Sequence, residues 1–436
     1  MNKPIFLILA IFMIGVAAWA VFALQTHPPG RTTAPPHSGE AAEAVNRFAC
    51  NLYNKLELSL VSPVGDQTPE NRIFSPYSIH TALSMTGAGA RGQTLDEMLG
   101  ALGMALDQAE SHHTLGGYAQ HLQAQAKKDG IELNMANALF VEESYSLLSE
   151  FEEIVKKDYR ANLESVDFSK KPSEQASRIN AWAAEATHDR IQKLLTENDI
   201  KADTRLVLVN AIYFKALWQT PFRVLETLRP ESFWKAENQS APVTFVYQQD
   251  KFQYTEEGGL QILEIPYTGE RFSMVILLPE TKEGWRDLEA QLTPKKLSEW
   301  MHALQEETVQ VYLPKFKARL RCELQPALKG IGIVQAFDSE RADFSSMHAF
   351  CGEGVEADDL PYISKVIHEA KIEVDEKGTE ASAATAVVMN EVTARREDHV
   401  KKIKVFRADH PFIYFVRDRE SGMILFMGRL MDPSRE

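Results

Sequence analysis

Between Glu376 and Ala386 the chain reads Glu376-Lys377-Gly378-Thr379-Glu380-Ala381-Ser382-Ala383-Ala384-Thr385-Ala386. The chemistry that suits these residues is backbone pairing. In an extended chain, Thr379, Ala381, Ala383, Thr385, Val387 and Met389 share one face, while Glu380, Ser382, Ala384 and Ala386 share the other. The only charge after Gly378 in this segment, Glu380, therefore falls on the second face. No proline occurs from Glu376 to Lys404, so every backbone donor is available for a ladder. Gly378 supplies backbone freedom where the chain must fold over. Taken alone, the segment reads as an Ala-rich linker or a short helix, because alanine has the highest helix propensity.

Enzymatic chemistry finds little support. There is no nucleotide-binding glycine loop, no nucleophile elbow of the form Gly-x-Ser-x-Gly and no His cluster at ligand spacing. The expectation is a protein that is not an enzyme and needs neither metal nor cofactor. The three cysteines, Cys50, Cys322 and Cys351, are odd in number and widely spaced, which suits buried thiols better than a zinc site or disulfide framework.

The elements that must position the segment come next. The 436 residues are 44% hydrophobic and 25% charged, enough for a large core. A formal net charge of -14 argues against nucleic acid as a partner, since phosphate contacts need clustered Lys and Arg. Residues 1–24 hold an apolar run, Ile5 to Leu24, behind Lys3. Its length of about 20 residues just spans a bilayer. Ala18-Trp19-Ala20 and Val21-Phe22-Ala23 resemble small-residue cleavage sites. It reads as a signal peptide or an N-terminal membrane anchor, and either way the body is exported. Residues 25–44 read as a Pro-rich linker, helix-free as far as Glu40, with the folded body starting near Ala41. No repeat interrupts the rest, so 45–436 is expected to be one domain.

Helical and strand patterns interleave through that domain. Glu150 to Tyr159 and Ser173 to Leu195 carry helical spacing, whereas Leu206 to Phe214 and Phe272 to Leu278 are short apolar runs that suit strands. The stretch from Glu376 to Pro411 has no helical stripe and is longer than a compact domain usually leaves unstructured without a functional reason.

A set of motifs in fixed order resembles the serpin family. Ile73-Phe74-Ser75-Pro76-Tyr77-Ser78-Ile79 and Ala90-Arg91-Gly92-Gln93-Thr94 come first, then Asn180-Ala181-Trp182. Leu208-Val209-Asn210-Ala211-Ile212-Tyr213-Phe214-Lys215 follows, with Trp218 and Pro221-Phe222. Leu313-Pro314-Lys315-Phe316, Ala342-Asp343-Phe344-Ser345, Ile363-Ser364-Lys365-Val366-Ile367-His368-Glu369 and the closing segment from His410 to Arg429 complete the series. Each is weak alone; the ordered set covers roughly residues 45 to 433.

The resemblance implies an α+β serpin fold, mixed helices around three β-sheets with a long exposed reactive-centre loop. It implies a suicide-substrate inhibitor of serine proteases, with Glu376 and Gly378 to Ala386 as the loop's hinge. The uncleaved hinge, Thr379 included, is then expected to be exposed. Ser75, Ser78, Asn210 and His368 would form a buried shutter beneath the central sheet, and Lys315 would pair with Glu376 beside Trp218 where insertion begins. Counting as the family does, the reactive bond is Val392-Thr393, suited to an elastase-like protease. Arg395-Arg396 is the trypsin-like alternative, and with Lys401 and Lys402 it reads equally as a solvated basic stretch. The expected molecule works as a monomer whose N-terminal segment contacts the membrane, and it is secreted, periplasmic or membrane-anchored. A non-inhibitory carrier, chaperone or storage serpin and a cysteine-protease inhibitor are the rival readings.

Overall fold

The computed structural model describes residues 37–59, 70–104, 108–196, 198–224, 231–349, 360–379 and 403–435. The N-terminal apolar run, Glu380 to Ala386, Val392, Thr393, Arg395, Arg396 and Cys351 lie outside the described residues.

Helix α1 (Ser38–Tyr53) opens the described chain, three residues before the expected start of the folded body. The last proline of the linker is Pro36, and once His37 has turned with φ of 59° nothing denies Ser38 to Glu40 their helical bonds. Its Ala41, Val45, Phe48, Ala49 and Leu52 recur at helical spacing and are buried. Helix α2 (Pro76–Gly87) is buried on every side. Its start is fixed by Pro76 in the first turn and by Ser75, whose Oγ accepts the Ser78 N–H at 3.2 Å. The expected helix from Ser173 to Leu195 is shorter, α3 (Pro172–Ala186). Thr187 ends it: the hydroxyl donates to Ala183 O and accepts the Ile191 N–H, and His188 and Asp189 take positive φ. The helix expected near Glu150 forms over Ser149–Glu153 and continues as a π turn, Ile154–Asp158.

The fold is α+β, with helices packed around β-sheets. Nine strands, including Phe245–Glu257, Phe272–Pro279, Phe412–Asp418 and Ile424–Leu430, form one sheet. Two small ribbons, 146–147 with 348–349 and 231–236 with 239–243, stand apart. Among the described residues, six strands form the second large sheet: β1 (Glu132–Glu142), β2 (Asn162–Val166), β3 (Leu206–Leu217), β4 (Phe316–Glu323), β5 (Ile363–Val374) and β6 (Gly378–Thr379). Their order is β4-β5-β6-β3-β1-β2.

The centre of that sheet is a seam. From Ile363 opposite Leu206 to Lys371 opposite Tyr213, β5 pairs directly with β3, in parallel. Above this the two strands part and β6 lies antiparallel to both, with Thr379 opposite Val374 on one side and Ala216 on the other. Alternation divides the sheet's side chains between two cores. Leu208, Ile212, Phe214, Ala370 and Ile372 face the larger one, whereas Val207, Val209, Ala211 and Ile367 pack with Ala176, Ile179 and Ala183 of α3.

Candidate functional site

The middle of the seam carries a polar row. Asn137 of β1, Asn210 of β3 and His368 of β5 stand in register, and Ser75 and Ser78 approach from the start of α2. The backbone N–H of Ser75 donates to His368 Nε2 at 3.1 Å, so that nitrogen carries a lone pair and the proton sits on Nδ1. From there it donates to Asn210 Oδ1 at 2.5 Å. The Asn210 amide donates to Ser78 Oγ and Asn137 Oδ1, each at 2.5 Å, and Ser75 Oγ donates to Leu425 O at 2.5 Å. Burial pushes His368 down to about 3, so the imidazole is neutral at physiological pH. The row is thus a hydrogen-bonded network of uncharged groups, and one of its bonds, His368 to Asn210, bridges the seam.

The top of the seam is built differently. Trp218, almost wholly buried, donates its indole N–H to Asp375 O at 2.9 Å and its backbone N–H to Lys377 O at 2.9 Å. Phe222 N donates to Glu376 O at 2.7 Å. The Asp375 carboxylate accepts the N–H groups of Lys377 and Gly378 at 2.8 and 3.1 Å, closing a tight turn. Lys315 forms an ion pair with Glu376. Burial raises the Glu376 carboxyl, yet the bond and charge of Lys315 leave it below the usual range.

Thr379 is fully buried at this end, not exposed as the loop's sequence suggested. Its hydroxyl meets Tyr267 Oη at 2.7 Å, and the Tyr267 ring stacks on Trp218 with centroids 4.6 Å apart. The strand pairing on both sides is what buries it. Gly378 also differs from expectation. Its φ is not in the left-handed region; instead, a Cβ there would lie 2.1 Å from Ala216 O and 2.6 Å from Leu217 Cα. Glycine is present because the backbones approach closely, not because the chain must fold over.

Sequence reasoning missed Asn137, Tyr267 and Asp375. Asn137 had a signal, an Asn in a buried strand that faces the same way as its neighbours Met135 and Leu139. Tyr267 had none, since it reaches the seam from the other sheet. Cys50 and Cys322 are buried free thiols, and burial pushes both up to about 12, Cys50 against a weaker backbone hydrogen bond. Among the described residues, no three His, Cys, Asp or Glu side chains are grouped to hold a metal ion. Among them, too, no helix is long and apolar enough to cross a membrane.

Comparison with known proteins is consistent across sequence and structure. Residues 43–433 match the family model described as Serpin (serine protease inhibitor). A leukocyte elastase inhibitor from Bos taurus is 39% identical over 404 residues, covering 90% of this chain and all of its own length. An uncharacterized serpin-like protein of Thermococcus kodakarensis is 39% identical over 393 residues, covering 89% of this chain and 85% of its own. The crystal structure of Serpin48, a highly specific serpin of the insect Tenebrio molitor, superposes with a TM-score of 0.76 at 32% identity, over 90% of this chain and 98% of that one.

Proposed function

This chain belongs to the serpin family, and we propose that it inhibits serine proteases as a suicide substrate, by inserting its cleaved reactive loop between β5 and β3. The observation that carries the reading is β6. Gly378 and Thr379 already lie antiparallel at the strands that would have to separate, Gly378 opposite Leu217 and Thr379 paired on both sides, with Ala216 and Val374. Residues 380–389, small or apolar on one face and free of proline, are composed to continue that strand.

In this reading, the protease's serine attacks the carbonyl of the bait residue and the amine of the next residue leaves, giving an acyl-enzyme. Cleavage frees the hinge. If insertion outpaces hydrolysis, the protease is carried away with its acyl bond intact and its oxyanion hole distorted. The Asn210–His368 bond holds the seam shut until then, as a shutter. The turn at Asp375, with Trp218 and the Lys315–Glu376 pair, fixes where insertion starts. Val392-Thr393 is the bait bond for an elastase-like enzyme, which accords with the similarity to an elastase inhibitor. The N-terminal apolar run exports the body, either as a cleaved signal or as an anchor.

Incubation with a panel of elastase-like, trypsin-like and cysteine proteases, read on a denaturing gel, tests the reading. An inhibitor gives a covalent band with a serine protease, with Val392 at the acyl bond. Cleavage without any such band, across the panel, overturns it.

A further inference from the structure

Away from the seam, three helices enclose a cavity to which the inhibitory reading gives no role. Along α1, Ala41, Ala44 and Arg47 recur at the spacing of one helical face. That face meets His80 of α2, the chain just past helix Gly92–Leu102, and the first turns of helix Gln108–Lys128. The space between them is about 230 Å³. It is many times the roughly 10–15 Å³ that one water needs, and below the roughly 300–1,000 Å³ of sites that take drug-sized ligands. A small organic molecule fits.

The two ends of the cavity differ. Its buried lining includes Ser111, only 2% exposed, whose hydroxyl has no hydrogen-bond partner. Such a group is a cost to the fold that a ligand atom can remove. The neighbouring polar groups of α2 are occupied: His80 Nε2 lies 3.0 Å from Leu102 O, and the Ser84 hydroxyl donates to His80 O at 2.8 Å. Burial lowers His80 to about 4, so the floor carries no charge at physiological pH. The exposed rim is charged. Arg47 donates to Gly103 O at 2.5 Å instead of turning to Glu43, one helical turn before it. Glu43 is left exposed, with no ion pair to any described residue. Two carboxylates, Glu40 and Glu43, thus face one guanidinium at the rim of a protein whose net charge is -14, which favours the approach of a cation.

We propose that this cavity binds a small amino alcohol, an amine whose short apolar chain carries a hydroxyl at its far end. The ammonium pairs with Glu43 at the rim, the chain lies against Ala41, Ala44 and Leu115, and the hydroxyl meets that of Ser111. Each part of the ligand answers one feature of the wall, and each excludes a competitor. A purely apolar molecule leaves Ser111 unpaired. A carboxylate at the rim faces Glu40 and Glu43. A diamine buries a second charge where only a hydroxyl waits. The site shares no residue with the seam and stands whether or not the loop inserts.

Aminohexanol, hexylamine and hexanol, titrated into the full protein and followed by NMR of the ligand, test the site. Aminohexanol should bind about three- to tenfold more tightly than hexylamine, the margin of one neutral hydrogen bond. It should bind about two- to fivefold more tightly than hexanol, the margin of an exposed ion pair. In Ser111→Ala the two amines should bind alike, and in Glu43→Gln aminohexanol and hexanol should bind alike. Without ligand, Ser111→Ala should melt no lower than wild type, because it removes an unpaired hydroxyl. The proposal is overturned if aminohexanol does not bind, or if either variant keeps the wild-type preferences. It is overturned equally if Ser111→Ala melts lower, which would mean that water or protein already satisfies the hydroxyl.

Discussion

The middle and the top of the seam hold the same two strands by different means. In the middle, β3 and β5 touch, and a neutral imidazole and an amide bridge them in a fully buried site. At the top, the strands have separated, and beside the gap stand Gly378 and Thr379, a stacked Trp218–Tyr267 pair and a partly exposed ion pair. If the loop inserts as proposed, the middle is a closed contact whose bonds must be exchanged first, and the top is an entrance already occupied.

The sharpest way to break this comparison is to cut the loop. If the top is an entrance, nicking anywhere from Val388 to Arg396 lets the strand run down through the middle. About ten new ladder bonds at roughly 1 kcal/mol each, with roughly 2 °C for each kcal/mol, put the rise in melting temperature at ~20 °C or more. Thermal melts of intact and nicked protein measure it, and an unchanged midpoint means that the middle never opens.

Thr379→Arg attacks the entrance itself. The loop sequence suggested that such a change would leave the uncleaved protein untouched, but Thr379 is already buried against Tyr267. An unpaired guanidinium there costs several kcal/mol, so the uncleaved protein should expel β6 and melt lower, and insertion should be delayed. A tenfold delay, equivalent to about 1.4 kcal/mol in barrier, diverts most encounters to plain cleavage. Glu380→Arg, placed by alternation on the opposite face, should keep forming the covalent complex. Equal yields of complex from both variants would show that the register at the top is wrong.

Much of this was legible in the sequence for a physical reason. The motifs around Ser75, Asn210 and His368 are local runs that carry the family resemblance, and the start of α2 meets strands β3 and β5 to bring them together. The alternation of small residues after Gly378 is local too. What was not legible depends on packing between distant elements. Tyr267 directly follows Leu260–Pro266, a strand of the other sheet, and nothing in its sequence neighbourhood points to Thr379. The role of Gly378 could not be read because a glycine that relieves a close approach looks the same in sequence as one that adopts a left-handed turn. The start of α1 and the end of α3 were misjudged by three and nine residues, where a left-handed His37 and a side-chain cap at Thr187 decide the matter.

Acid should separate the two regions. His368 is held near 3 by burial, and His80 near 4 for the same reason, against an unfolded value of about 6.5. Between those values the unfolded chain binds protons that the folded chain does not, so stability falls as pH drops below about 6.5. Glu376 has the opposite charge type but a lowered value, so its contribution persists above the ordinary carboxylate range and is lost only at lower pH. Glu369 and Asp375, raised by burial, act in the other sense, and the difference between two proteins is therefore the quantity to read. His368→Gln should flatten the slope of stability between pH 6 and 4.5 by up to one proton, about 1.4 kcal/mol per pH unit. A slope equal to that of wild type would mean that the middle does not sense acid.

The smallest effect is expected where the charges are most visible. Lys315 and Glu376 keep about a third and a quarter of their side-chain surfaces exposed, so solvent screens the pair and its worth is about 0–1 kcal/mol. The residues it adjoins are held by stronger means: Trp218 and Phe222 donate backbone N–H groups to Lys377 and Glu376, and the Asp375 carboxylate gathers two more. Lys315→Met should therefore leave the melting temperature of the uncleaved protein within about 2 °C of wild type, the shift that 1 kcal/mol brings in a large domain. Asp375→Ala, which strips two N–H groups of their acceptor, should cost more, since an unsatisfied buried donor forfeits about 1–3 kcal/mol. Melts of the two variants side by side decide whether the entrance is positioned by its turn or by its ion pair. A larger loss from Lys315→Met than from Asp375→Ala would assign the positioning to the charges.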